Sequence, residues 1–357
     1  MKRLNVWCRF LALALFAALT GCSGNNNMMQ PPPKGATIFV TGTDAPLASV
    51  VSFQVDITGI SVSDGMHPPV SVTTGTQTVD FARLNGLRTL LDLNTIPAGT
   101  YTTVNVTLAN PMIGFLNVPG GGARPTISTI KPPQASLSTS SVTILLNRPL
   151  IVNTGDLIGL AFEFDLRQSI QLDAAGQVTG LVIPNLDLHA ITPDAPEADI
   201  DELRGGVVSV NVPNGTFVMQ TANGRQITVQ VNGNTELEDG EGLGQLTMNS
   251  IVEISGQLQR NTLTLMADEV EILSQDKFVM GGLVTFVDPA TGPANDFDLF
   301  VRHVLPAVSG IQPGETIATL NLDGTQMFFI YRLRTPLASF VFNRSLMVPG
   351  QGVTAGG

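Results

Sequence analysis

From Ala36 onward the chain repeats with a period of two. Val51, Phe53, Val55 and Ile57 alternate with Ser52, Gln54, Asp56 and Thr58, the pattern of a strand with one buried face. The parity flips at Gly59 and resumes on Ile60 and Val62, which predicts a β-bulge, because a bulge inserts one extra residue into one strand. The alternation recurs at Val104, Val106 and Leu108, and again at Leu160, Phe162, Phe164 and Leu166. No stretch of helical length shows a 3.6-residue apolar period with caps. The best candidate, residues 82–94, contains Asn85-Gly86 and reads as strand, turn, strand. The pattern predicts an all-β protein.

Punctuation divides it. Residues 35–193, interrupted by a Gly/Pro-rich loop over 119–133, carry enough short strands for an antiparallel β-sandwich, Ig-like or transthyretin-like. Residues 194–203 hold Asp194, Glu197, Asp199, Asp201 and Glu202 without a base, which predicts an acidic linker. A calcium site is the sharper reading of that cluster, but its spacing fits no EF-hand loop. In residues 204–274, Asn214-Gly215, Asn223-Gly224 and Asn232-Gly233 separate alternating runs, and five strands are expected at 206–212, 216–221, 226–231, 250–258 and 262–273. Five short strands in so few residues predict a small OB-like or SH3-like barrel that folds alone.

Residues 279–357 repeat that pattern. Gly205-Gly206-Val207-Val208 aligns with Gly281-Gly282-Leu283-Val284, Pro213 with Pro289, and the run 228–233 with 319–324. Extra residues enter the second copy around 302–312. Leu246 to Gly256 aligns with Leu346 to Gly356 at an offset of one hundred, after which the first copy has seventeen residues left to Leu273 and the second has one. The second barrel is therefore expected to lack its last strand. It would stay an open sheet, or be closed by residues 275–280, by a strand within 302–318, or by a partner chain.

The start of the chain is of another kind. A basic opening, an apolar run from Phe10 to Leu19 and a small-residue site predict a secretory signal over residues 1–21, too short to span a bilayer. Leu19-Thr20-Gly21-Cys22 resembles the lipobox of bacterial lipoproteins, which implies a lipid on Cys22 and cleavage before it. Ser23 after that Cys resembles the outer-membrane sorting pattern. Residues 22–34, with Pro31-Pro32-Pro33, read as a flexible tether.

Charge and composition then exclude more than they assign. Of 357 residues only 13% are charged and the net charge is −11; without residues 1–21, fifteen basic face twenty-nine acidic side chains, net −14. That balance argues against nucleic acid, and residues 204–274 have no Lys to line a phosphate groove. With Cys22 acylated no thiol remains for a disulfide, a nucleophile or a metal. His67, His189 and His303 lie far apart, and His189 beside Asp187 reads as an exposed strand residue. No Gly-x-Ser-x-Gly occurs, and Gly240-Glu241-Gly242-Leu243-Gly244 precedes no helix that could meet a phosphate. Glu163 and Asp165 share a strand face at a spacing of ~6.5–7 Å, but a glycosidase cleft also needs aromatic platforms, and beyond the signal only Tyr101 and Tyr331 remain besides Phe. No catalytic, cofactor-binding or metal-ligating residue is singled out, and no cofactor is expected.

Two resemblances complete the reading. Thr43-Asp44-Ala45-Pro46, Ile96-Pro97-Ala98-Gly99-Thr100-Tyr101 and Phe162-Glu163-Phe164-Asp165 with Pro184 resemble the family called domain of unknown function 4382. The first of these is its signature turn, preceded here by Gly42 where an apolar residue is expected. Gly206-Val207-Val208, 227–231 and 263–272 resemble domain of unknown function 5666, a small β module of bacterial envelope proteins. The expectation is a non-catalytic, lipid-anchored cell-envelope protein on the outer membrane or cell surface, acting as an interaction or structural module. It would be held on the membrane by N-terminal acyl chains, with an envelope protein or glycan partner and no nucleic acid. Binding of an envelope glycan or a divalent cation is the alternative, and a hydrolase has least support.

Overall fold

In the computed structural model the described residues are 35–356, except 46, 48–49, 85–87, 121, 222–224, 238–241, 249, 260–263, 275–278, 307 and 323–342. The expected signal, tether and Cys22, Pro46, the turns at Asn85-Gly86 and Asn223-Gly224, and part of the loop 240–244 lie outside them.

The first lobe contains β1 (Gly35–Ala45), β2 (Val50–Ser63), β3 (Val70–Ser71), β4 (Gln77–Asp80), β5 (Thr89–Pro97), β6 (Gly99–Asn117), β7 (Thr126–Ile130), β8 (Ser136–Leu137), β9 (Ser141–Val152), β10 (Leu157–Asp165), β11 (Ile170–Leu172), β12 (Val178–Val182) and β13 (Leu186–Ile191). One sheet runs β13-β10-β1-β5. A second runs β3-β2-β6-β7, with β4 on β2 and β9 on β6, and a small third runs β11-β12-β8. The two larger sheets share one core, in which Ile38 and Val40 meet Phe53, Val55, Val104, Val106, Phe162 and Phe164. The parity break is where the alternation placed it: the β2–β6 ladder slips between Ile57 and Gly59.

The expected antiparallel sandwich needs correction, because β1 and β10 pair in parallel, Thr37 opposite Leu157 through Ala45 opposite Asp165. Period-two patterning reports a buried face but not the direction of a neighbour. Two local readings also change. Residues Phe81–Leu84 form a 3-10 turn, not a strand. The loop over 119–133 carries β7, paired to β6.

The second lobe contains β14 (Ile200–Asn211), β15 (Thr216–Thr221), β16 (Gln226–Gln230), β17 (Glu236–Leu237), β18 (Ile251–Leu258) and β19 (Leu265–Ser274). Ladders join β16-β15-β14-β18-β19, and a parallel pairing of Val229 with Leu265 returns β19 to β16, so five strands close a ring. Gly215 takes φ +64 at the first hairpin, the left-handed conformation that an Asn-Gly pair supplies. The acidic stretch is folded, not a free linker: β14 begins at Ile200, and Ala198 and Ile200 are buried in the second core. That core continues into the first lobe through Phe39, Leu90, Leu157, Ala161 and Ile191. Strand β1 is thus covered on both faces, which explains its unbroken apolar run Ile38-Phe39-Val40.

The third lobe contains β20 (Val279–Asp288), β21 (Asp296–Leu305), β22 (Ile317–Asn321) and β23 (Gly352–Gly356) in the order β22-β21-β20-β23. This is the order β16-β15-β14-β18 over again. Strands β16 and β22 share the offset of ninety-one that aligned their sequences, and each is followed by an equivalent tether: Val231 N donates to Gly215 O (2.8 Å), Leu322 N to Asn295 O (2.7 Å). The last strand is displaced from its expected register. Gly206 pairs with Ile251 but Gly282 with Val353, an offset of 102 instead of one hundred, so matching the two terminal glycines misaligned the ladder by two residues. Within 302–318, residues 302–305 extend β21, and the described residues hold no additional strand before β22. Gly35–Gly357 form one compact unit.

Candidate functional site

Charged residues are scarce in this chain, and the structure gathers several of them where the three lobes meet. Arg204 on β14 donates from Nη2 to Glu253 of β18 (2.5 Å) and lies 3.4 Å from Glu202. Its Nη1 stands 3.0 Å from Nδ1 of His303, brought in by the extended end of β21. Guanidinium nitrogens only donate, so Nδ1 accepts and the ring proton sits on Nε2. Burial, then Arg204, Arg83 and Arg302, push His303 down to about 2, and the imidazole is neutral at any physiological pH.

The first lobe closes the cluster. Asp80 accepts from Ser52 Oγ (3.0 Å) and Phe53 N (2.9 Å), while Arg302 reaches Val51 O (3.4 Å). Burial raises Asp80, and the attraction of Arg302 and Arg83 opposes it. Burial also lowers Arg83 and Arg302, reinforced for Arg83 by Arg204. Three guanidiniums, Arg83, Arg204 and Arg302, thus face Asp80, Glu202 and Glu253 in one balanced junction. Glu202 adopts φ +47, a left-handed conformation rarely taken by a residue with a Cβ, at a register shift in the β14–β18 ladder. That conformation marks a position over-determined by its surroundings.

Further joints repeat the theme. Arg225, just past the β15–β16 turn, pairs with the buried Asp92 of β5 and donates to Leu93 O (2.5 Å) and Thr74 Oγ1 (2.6 Å). Arg124, from the Gly/Pro-rich loop, forks onto Asp296 and Asp298 of β21, each at 2.5 Å, and lies 4.8 Å from the Phe286 ring centroid. Lys131 pairs with Glu315, and Gln54 donates to Pro313 O (2.8 Å). Arg302 and His303, within the extra residues of the third lobe, and Pro313 and Glu315 just beyond them are therefore docking residues. Two acids of residues 194–203 are also held across elements: Asp201 accepts from Arg88 N (3.0 Å) and Asp199 from Gln257.

The signature residues lie elsewhere. Thr43, Asp44 and Ala45 are the end of β1, not a turn; Thr43 Oγ1 donates to Leu84 O (3.3 Å). Gly42 is explained by close approach, since a Cβ there would meet Leu91 Cδ1 at 2.8 Å. Asp44 is 7% exposed, and among the described residues neither carboxylate oxygen has a hydrogen-bond partner. Its carboxyl is pushed up to about 7, by burial first and then by Asp165, Asp80 and Glu163; the Leu166 amide moderates the shift without closing a hydrogen bond. Glu163 and Asp165 do share one face of β10, and Asp165 caps the turn at Leu166–Ser169 by accepting from Gln168 N (2.9 Å). His189 is exposed, 3.8 Å from Asp187, and His67 contacts Asp64 at 2.6 Å in an exposed turn. The three histidines stay apart. Among the described residues no three His, Cys, Asp or Glu side chains are placed to hold a metal.

A cleft of about 490 Å³ opens on the first lobe between β9, β10 and β13, lined by Pro149, Ile151, Asp156, Ile158, Ile191 and Pro193 among others. The described residues contain no helix long and apolar enough to cross a membrane.

Sequence reasoning missed the junction because each member reads locally as a solvated charge. A usable clue was present: only fifteen basic residues lie beyond residue 21, and Arg204, Arg225 and Arg302 lie within or beside buried strands. No curated protein matches the chain. Residues 36–179 match the family model described as Domain of unknown function (DUF4382), and residues 204–271 match that described as Domain of unknown function (DUF5666).

Proposed function

We propose that the protein is a non-catalytic, lipid-anchored module of the cell envelope, a rigid body that stands off a membrane on an acylated Cys22. In this reading the first lobe is a two-sheet sandwich with a parallel pair at its centre, and the second is an OB-like barrel. The observation that carries the proposal is the junction of Arg83, Arg204, Arg302, Asp80, Glu202, Glu253 and His303, to which all three lobes contribute. Paired charges buried between elements add little net stability but penalise every other arrangement, so they favour a fixed geometry over beads on a string. The leader and the Leu-Thr-Gly-Cys box support the anchor, and acyl chains at ~0.8 kcal/mol per buried CH2 would hold the body without a span.

Metabolic labelling with an alkyne fatty acid tests the anchor. Wild-type protein should carry the label and sediment with membranes; Cys22→Ala should carry none and be unprocessed or released. Equal labelling of both contradicts the reading.

The cleft at β9, β10 and β13 favours a second reading, an envelope glycan or cation ligand. A thermal-shift screen with cell-wall fragments and calcium separates the two, because a ligand at one hundred times its Kd stabilises by ~2.7 kcal/mol.

A further inference from the structure

The carboxyl of Asp44 is buried, and among the described residues no cation pairs with it. On β10, Glu163 and Asp165 flank Phe164, which lies in register with Asp44, and Asp80 approaches from β4. Asp80 and Asp165 are already oriented by other donors, Ser52 and Phe53 for the one, Gln168 for the other. The remaining charges on the elements around β1 are turned elsewhere. Arg83 of the 3-10 turn belongs to the junction, Arg167 beside Asp165 is exposed, Asp92 of β5 is held by Arg225, and Arg88 lines a small pocket with Thr41 and Thr43. A carboxylate in that position would be a buried, uncompensated charge, repelled by Asp80 and, from the opposite face of β10, by Glu163 and Asp165.

We propose that Asp44 is a proton-binding element of the fold: it is closed over by β10 as a neutral acid, and ionisation loosens this end of the first lobe. Asp44 then makes the lobe sensitive to pH close to neutrality. A proton bound in the folded state but not in the unfolded chain stabilises most below the ordinary carboxylate range, and that contribution is lost as pH rises through about 7.

Thermal melts of the full chain between about pH 5.5 and about pH 8.5 test it. The wild type should lose melting temperature across this range by several degrees more than Asp44→Asn, and the variant should be the more stable at the alkaline end. Parallel profiles overturn the proposal, as does calcium restoring the alkaline wild type but not the variant, which would make Asp44 a cation ligand instead. Should the variant fail to fold, infrared difference spectra of the wild type decide. A protonated-carboxyl band must disappear with a midpoint near 7; an unchanged band region overturns the proposal.

Discussion

Arg225 of the second lobe forms an ion pair with Asp92 of the first, a carboxylate with no exposed surface. Asp92 also accepts from Thr74 N (2.8 Å) and Leu93 N (2.7 Å), so it stays oriented when the guanidinium is absent. Arg225→Ala should therefore destabilise by about 3 kcal/mol, near the low end for breaking a buried pair. The double variant with Asp92→Asn should recover part of that loss. Urea denaturation of the four-member cycle measures the coupling, and simple additivity would contradict a direct pair.

Arg124 is not replaceable by Lys. Its two nitrogens serve Asp296 and Asp298 at once, Asp298 is nearly fully buried, and the guanidinium lies over Phe286. A lysine serves one carboxylate as a point charge. Arg124→Lys should lower stability by about 1–2 kcal/mol and raise hydrogen exchange in β21 relative to β14.

His303 sets an acid limb. Its folded pKa, near 2, lies below the ordinary 6.5, so the unfolded chain binds the extra proton. Its contribution is complete above about pH 6.5 and declines as pH falls below it. His303→Gln should flatten the loss of melting temperature between about pH 6.5 and about pH 4.5. Since Asp44 acts in the opposite direction, the wild type should be most stable in the weakly acidic range.

Gly282 allows β20 and β21 to approach, and a Cβ there would overlap the carbonyl oxygen of Phe300. Gly282→Ala should cost about 2–4 kcal/mol through forced backbone movement, whereas Gly206→Ala, at the equivalent position with open space around it, should change stability little. Chemical denaturation of both variants checks the contrast.

Strand positions were legible where turn chemistry is local. The three Asn-Gly pairs bracketed β15 and β16 to within a few residues, and the slip at Gly59 followed from parity alone. The pairing of β1 with β10 was not legible, because nothing in an alternating pattern names a partner more than one hundred residues away. The acidic stretch read as a linker because two of its partners, the Arg88 amide and Gln257, lie far off in the sequence. Arg225 follows Asn223-Gly224 in the sequence, and nothing local names its partner Asp92, more than one hundred residues away. For the same reason the barrel read as self-contained, although Ala198, Ile200 and residues of the first lobe complete its core. An excised 204–274 fragment should melt lower and less cooperatively than 195–274, as circular dichroism would show.

The fixed arrangement of the three lobes is tested most directly by electron–electron double resonance. Spin labels would go on exposed positions through Thr139→Cys, Ser209→Cys and Thr291→Cys, taken in pairs in a Cys8→Ser, Cys22→Ser background. Each pair should give one narrow distance distribution, and Arg204→Ala should broaden the distance between the second and third lobes. Broad or multiple distances in the protein with Arg204 intact would contradict a rigid body locked by its buried charges.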